Sequence, residues 1–390
     1  MNSECPVVRK EGSFVYQPRF KYNDRIVKSL MSIEKNKNTV EMLPLPKDIE
    51  KELRKEAKLK MTHYSTRIEG NPLGLEEVSE AIMKNRDRQG LKAEQEVRNY
   101  WNALSFLSTS KRLKIPISED FIKRLHSIIE VRGSGRRTEE SEYRGPTRPG
   151  VLFAVYDSVT GQPEYIPPEA NDVPQLMKSF VAWINSDDAR ELPAPIRAGI
   201  AAYQLLTIHP FYDGNGRTAR ALATYILSIK GYDLKGFNSM EEYYVSDLQG
   251  YYTKLQMNLP VLYYDGRDNP PDLAPWLEYF VLIMEKAFQK VARIAQNKYK
   301  QQIDPRVNKL EPRELIVVKL LLTKNGEITP KEIAGEFNVV TRTITEWAKE
   351  WIRKGIIEPA SGTERIRTYK IGRTYSDLTL SDLGYVETDQ

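Results

Sequence analysis

The stretch His209-Pro-Phe-Tyr-Asp-Gly-Asn-Gly-Arg217 gathers an imidazole, a carboxylate, two glycines and a guanidinium, in a chain of 390 residues that has three histidines. An apolar stripe at Ile196, Ile200, Tyr203 and Leu206 runs into it, and another at Ala219, Leu222, Ala223, Ile226 and Leu227 leaves it. The spacing predicts a turn between two buried helices. The second helix is expected to begin near Asn215. Its free backbone N–H groups and dipole would form an anion pocket at Gly214 and Gly216. Arg217 and Arg220, three apart on its first turn, can face one anion with bidentate geometry. Asp213 would repel a phosphate unless a cation lay between them, and one Asp with phosphate oxygens is a usual way to hold Mg²⁺. His209, at the rim, can accept a proton near neutral pH. These are parts for attack by a hydroxyl on a nucleotide phosphate, with arginines and metal offsetting charge. A plain helix–helix turn is the bland reading, and the complete set of residue types in one turn outweighs it.

A second stretch, STRIEGN at residues 65–71, puts Ser65 and Glu69 four apart on one helix face, ended by Gly70. The charge of Glu69 at a helix carboxy terminus opposes the macrodipole at a cost of about 0.3–1 kcal/mol. A cation from elsewhere in the fold could offset that cost.

The elements that must position these residues are mostly helical. The first forty or so residues are polar without clear period and are read as an irregular arm. A helix is expected from Asp48, with Ile49, Leu53, Met61, Tyr64 and Ile68 on one face. Further helices are predicted at 75–84, 91–108, 121–130 (capped by Ser118), 173–185, 196–207, 218–230, 246–258 and 275–298. Between them, 132–168 reads as a loop and a β-hairpin with Gly161 in its turn. The apolar period lapses at 302–312. Beyond it come a helix at 315–323, one starting at Thr329-Pro330, one capped by Thr341, and strands at 356–358 and 366–371 around a Ser-Gly turn. Three helices and a two-stranded wing describe a small winged helix-turn-helix domain. The fold class is therefore mainly α, with an amino-terminal arm and helical region at 1–94, a core at 95–300 and the winged domain and tail at 301–390.

On these residues the chain resembles the Fic-domain family. The turn matches the signature His-Pro-Phe-x-Asp/Glu-Gly-Asn-Gly/Lys-Arg without mismatch, and Arg220 also follows the pattern. The helices ahead of it, the hairpin at 151–165 and YYTKLQ from Tyr251 come in the family's order. The resemblance implies a Fic-type helical core and adenylylation: transfer of AMP from ATP to a Tyr, Thr or Ser hydroxyl of a target protein, releasing pyrophosphate. It implies His209 as base, Phe211 as buried anchor of the loop, Asp213 as Mg²⁺ holder, and Gly214, Asn215, Gly216, Arg217 and Arg220 as phosphate binders. The hairpin would be a flap that pairs with the target's extended backbone. Tyr251, Tyr252 and Asn258 are similar to family positions near the nucleoside, although tyrosines at helical spacing are often core. STRIEGN is similar to the family's inhibitory-helix motif, Ser/Thr-x-x-x-Glu-Gly/Asn. Glu69 would then pair with Arg220 and fill space needed by the γ-phosphate, keeping resting activity low. The same carboxylate could instead orient water for removal of AMP from a modified target.

Composition narrows the rest. A net charge of +5 is mild for this length and announces no nucleic-acid binder. Cys5 is the sole cysteine, so no intrachain disulfide can form, and a reducing compartment fits. The amino terminus lacks a signal-peptide core, and the apolar run from Trp276 is too short and too charged to span a bilayer, so a cytoplasmic protein is expected. Thr341, Arg342, Thr343, Thr345, Arg365 and Arg367 could meet DNA, but Glu336, Glu346, Glu350 and Glu364 dilute their field, and DNA contact through 311–373 is the less favoured reading. The competing function is a nucleotide-sensing regulator, binding DNA or protein without transfer. Since the turn reads a diphosphate and not a base, another nucleotide or a phosphocholine carrier is an alternative donor. Self-modification and a homodimer through exposed helix faces are further outlets for such a core.

Overall fold

The computed structural model describes residues 15–83, 92–130, 141–156, 161–267, 271–324, 326–360, 366–380 and 382–384. It is mainly helical. In chain order the elements are α1 (Asp24–Met42), α2 (Lys47–Ile68), α3 (Leu75–Met83), α4 (Lys92–Arg112), α5 (Glu119–Ile129), β1 (Val155–Tyr156), β2 (Pro163–Tyr165), α6 (Val173–Asn185), α7 (Asp187–Glu191), α8 (Ala194–Ile208) and α9 (Asn215–Ile229). They continue with α10 (Glu241–Ser246), α11 (Leu248–Gln256), α12 (Ala274–Gln302), α13 (Pro312–Thr323), β3 (Glu327–Ile328), α14 (Pro330–Phe337), α15 (Thr341–Arg353), β4 (Ile357–Pro359) and β5 (Tyr369–Ile371). The chain divides into two compact units. One takes residues up to Glu41 and from Lys51 to Ala292; the other takes Met42–Glu50 and Arg293 onward.

In the larger unit α8 is central. Every residue of it but Leu206 is buried, which its all-round apolar sequence demands. It packs most extensively on α9, with α6 at its side, while α4 and α5 cover α9. Ser118 caps α5 by accepting the Phe121 N–H at 3.0 Å. The hairpin strands β1 and β2 pair antiparallel with a register shift between Val155 and Tyr156. The expected turn at 157–160 lies outside the described residues, while Gly161 has φ +67°. Ile166, just beyond β2, exchanges backbone bonds of 2.9 Å with Val261 and Tyr263, tying the hairpin down.

Two expectations need correction here. The region read as an irregular arm contains α1. Its buried residues, Ile26, Ser29, Ile33 and Val40, form a stripe about one side chain wide that includes a serine, too narrow and polar to stand out as periodic. The helix expected at 246–258 is α11, shorter at both ends because Asp247 (φ −141°, ψ 63°) caps it, accepting the Gly250 N–H at 3.0 Å, and α10 ahead of it was not expected.

The smaller unit has its own core, including Val317, Leu321, Ile333, Ile344, Trp351 and Tyr369. Helices α13, α14 and α15 stand with a three-stranded sheet of order β3-β5-β4, one strand more than the sequence suggested. The added strand is two residues long, below the length at which alternation is visible. Thr329 forms a capping box with Glu332, whereas Val340, not Thr341, occupies the N-cap of α15. Arg365 and the Ser-Gly turn at 361–362 lie outside the described residues. Among the described residues no helix is long and apolar enough to cross a membrane.

Candidate active site

His209 ends α8 in the left-handed region (φ 50°, ψ 57°), an uncommon conformation for a non-glycine residue. Several bonds hold it there. Its N–H reaches the Leu205 carbonyl at 2.9 Å, and its own carbonyl accepts Arg144 Nε at 2.8 Å. Arg144 also gives its backbone N–H to Pro210 at 2.8 Å and its Nη2 to the Pro168 carbonyl. Tyr165, on β2, donates to the Thr207 carbonyl at 2.5 Å. The imidazole Nδ1 lies 3.3 Å from the Leu206 carbonyl. A carbonyl only accepts, so Nδ1 carries the proton and Nε2 keeps its lone pair. The residue is part-buried, and protein packs densely around its ring. That burial pushes its pKa down to about 4; nearby Arg144 adds to the effect, while the Leu206 carbonyl, Glu69 and Asp213 oppose it.

The loop after His209 is clamped from beneath. Phe211 is 1% exposed and stacks on His126 at 3.7 Å between centroids and 9° between planes. The other edge of His126 bridges Ser141 Oγ (2.7 Å, through Nδ1) and the Asp213 carbonyl (2.8 Å, through Nε2). Since the carbonyl can only accept, Nε2 is the protonated nitrogen of this ring. Asn215 takes the Phe211 N–H at 3.0 Å and donates to the Phe211 carbonyl at 2.8 Å. Its side chain is thus committed to the loop, which leaves only its backbone N–H for an anion. Gly214 caps α9 at φ +73°, and the first intrahelical bond runs from Thr218 N–H to Gly214 at 2.9 Å. The N–H groups of Asn215, Gly216 and Arg217 precede that bond and have no partner within the helix.

Around this helix start lie the charges. Asp213 Oδ1 takes the Gly214 N–H at 2.6 Å and meets Arg217 Nη2 at 3.4 Å, with the aspartate side chain 66% exposed. Arg217 is 4% exposed, and its Nε and Nη1 are buried with no hydrogen-bond partner. Arg220 faces the end of α2: Nε donates to Ser65 Oγ at 3.0 Å, and Nη2 to the Ser65 carbonyl at 2.8 Å and to Glu69 Oε1 at 2.9 Å. Arg220 therefore points to α2 and Arg217 to Asp213. The same Glu69 oxygen leans on Gly216, where a Cβ would come within 2.2 Å of it. A side chain there would have to push the Glu69 carboxylate aside. The end of α2 is fixed by Asn71, whose N–H reaches Thr66 at 3.1 Å and whose amide reaches Ala93 and Glu96 at 2.9 Å each.

The tyrosines flank this pair. Tyr251 is 2% exposed, packed on Tyr244 and Trp276, and Tyr252 donates to the Ile68 carbonyl at 3.3 Å, next to Glu69. Asn258 is not on their helix face. It is exposed in the turn after α11, with φ 57°. Sequence reasoning did not single out His126 or Arg144. A histidine among Phe121, Ile122, Leu125 and Ile129 reads as a core residue, and Arg144 sits in an aperiodic Gly/Pro segment; neither carries a local signal.

With this geometry established, comparison places the chain. Residues 116–227 match the Fic/DOC family. A protein adenylyltransferase Fic of Drosophila melanogaster is 33% identical over 182 residues, and one of Drosophila grimshawi is 29% identical over 206. The matches cover 46% and 52% of this chain, but only 34% and 40% of those longer proteins. Among solved structures, a Fic family protein from Desulfovibrio desulfuricans G20 superposes with a TM-score of 0.57 at 21% identity, over 92% of this chain and 99% of its own. Fic-1 (residues 134–508) from C. elegans does so at 0.54 and 24%, over 70% and 73%. The likeness to these structures is one of fold. The segment that carries His209, Asp213, Arg217 and Arg220 is thus a Fic/DOC-family domain.

Proposed function

We propose that the chain is a protein adenylyltransferase held in check by its own α2. The oxygen of a target hydroxyl bonds to the α-phosphorus of ATP, the bond from that phosphorus to the bridging oxygen breaks, and pyrophosphate leaves. His209 Nε2 takes the hydroxyl proton. The observation that carries this reading is Arg217. A buried guanidinium with two unpartnered nitrogens, at a glycine-lined helix start in the same turn as an imidazole base, is costly unless an anion completes it. Relatives named protein adenylyltransferase add support.

The residues present fit Mg²⁺. Asp213 is exposed and engages one oxygen with Gly214 and Arg217, so the other is open to a hard cation whose remaining ligands are phosphate oxygens and water. Bound there, Mg²⁺ would neutralise diphosphate charge.

Glu69 is the check. Its carboxylate lies against Gly216 and on Arg220, where a phosphate of ATP would need both. Loss of that carboxylate frees the arginine and the helix start together. Targets dock on the hairpin, near which Val151, Leu152 and Tyr156 are 56%, 57% and 53% exposed. The winged helix-turn-helix reading of the smaller unit is retained as an interaction module. DNA is the less favoured partner because Glu346 holds Lys349 at 2.8 Å and Glu350 holds Lys354 at 3.2 Å along α15. Incubating Glu69→Gly with labelled ATP and Mg²⁺ tests the transfer; label that stays free in solution argues for the nucleotide-sensing regulator instead.

A further inference from the structure

Behind α9 lies a cavity of about 310 Å³, within the size range of small-molecule sites and larger than ordinary packing voids. Its apolar lining includes Leu104, Leu107, Leu227, Trp276 and Phe280. Of the candidate active-site residues, Arg220 and Tyr251 line it, and none of residues 209–217 does. It therefore adjoins the nucleotide-binding set at Arg220 and Tyr251 and extends away from the phosphate turn.

Its charge is lopsided. Five cationic side chains line it (Arg54, Lys58, Lys111, Arg220, Lys235) against two carboxylates, Asp233 and Glu241, though Arg54 and Lys235 have other partners and do not count toward the imbalance. Lys111 is matched by Asp233 at 2.6 Å and Arg220 by Glu69 at 2.9 Å. Lys58 is different. Among the described residues no carboxylate comes within ion-pair distance of it; its ammonium meets only Ser105 Oγ at 2.5 Å and the face of Trp101 at 3.9 Å. Burial lowers its pKa to about 8, which marks an ammonium short of a counter-ion. Glu241, 3% exposed, has Arg220 as its charged neighbour and is itself pushed up by burial, so it does not neutralise the Lys58 end.

We propose that this cavity binds an amphipathic organic anion, with its head on Lys58 and its apolar body between Leu104, Leu107, Leu227 and Phe280. The pairing of one unmatched ammonium with an apolar chamber selects a carboxylate on a hydrocarbon or aromatic body over a neutral or cationic ligand. The site does not rest on AMP transfer, and either can fail alone.

Titration calorimetry of the full chain with octanoate, octanol and octyltrimethylammonium tests it. The expected result is saturable octanoate binding, at least about tenfold tighter than octanol, with the ammonium weakest. Lys58→Met should erase the preference for octanoate over octanol, and Leu107→Phe should weaken both by filling the chamber. Saturating Mg-ATP should leave octanoate bound, since its head sits on Lys58 and not on Arg220. No saturable binding, an unchanged preference in Lys58→Met, tighter binding of the ammonium, or competitive displacement by ATP would each overturn the proposal.

Discussion

Arg220 donates through one nitrogen to both the Ser65 carbonyl and Glu69, and through Nε to Ser65 Oγ, so one buried guanidinium is shared between α9 and the end of α2. Removing the carboxylate leaves the two Ser65 contacts in place. Glu69→Gly should therefore fold, with a stability loss of about 1–3 kcal/mol from the uncompensated cation, and should raise AMP transfer by tenfold or more. ATP should then raise the Tm of Glu69→Gly more than that of the parent, because phosphate replaces the missing anion. Differential scanning fluorimetry with and without Mg-ATP reads this; equal shifts in both proteins would contradict it.

Glu69 and Gly216 are in steric contact, which gives a double-mutant test. Gly216→Ala alone sets a methyl within 2.2 Å of Glu69 Oε1. It should destabilise the parent more than it destabilises Glu69→Gly, with a coupling of about 1–3 kcal/mol. Additive effects in urea unfolding would mean that the carboxylate does not rest on the glycine.

Arg144 positions the base without reaching the chemistry. It holds the carbonyl of the left-handed His209 and the Pro168 carbonyl at once. In the Glu69→Gly background, Arg144→Lys keeps the charge but loses the forked geometry, and kcat should fall roughly 10–100-fold with little change in the KM for ATP. A rise confined to KM would place Arg144 in nucleotide binding instead.

His126 supports Asp213 through its backbone carbonyl and supports Phe211 through stacking. His126→Ala should destabilise the chain by about 2–4 kcal/mol. His126→Gln should fold better and need more Mg²⁺ for half-maximal transfer, which a purely structural residue would not cause.

The low pKa of His209 has a pH signature. The unfolded imidazole, near 6.5, takes up a proton before the folded one, at about 4. Stability contributed by this group is complete above pH 6.5 and is lost as pH falls through that window. Relative to His209→Gln, the parent should lose stability between these two values, and the acid limb of kcat/KM for Glu69→Gly should lie below pH 6.5. A limb at or above 6.5 would show an ordinary, hydrated histidine.

Most of the helical fold was legible because its stripes are broad: α6, α8 and α9 bury most of their residues, and apolar periodicity reports them directly. The narrow stripe of α1 and the two-residue strand β3 fall below that signal. At the site, the residues proposed to meet an anion were readable because they are contiguous and their chemistry is unusual for a turn. The residues that hold them are not. His126 reaches Asp213 and Arg144 reaches His209, across 87 and 65 positions of chain, and only the folded packing on the turn reveals them.

The most direct measurement is the intact mass of Glu69→Gly and of the Glu69→Gly, His209→Ala double variant after incubation with Mg-ATP and a protein substrate mixture. AMP transfer by His209 predicts protein species heavier by one AMP, with pyrophosphate released, in the first and none in the second. An unmodified mass in both, or equal modification in both, would contradict the role assigned to the imidazole and to the glycine-lined helix start beside it.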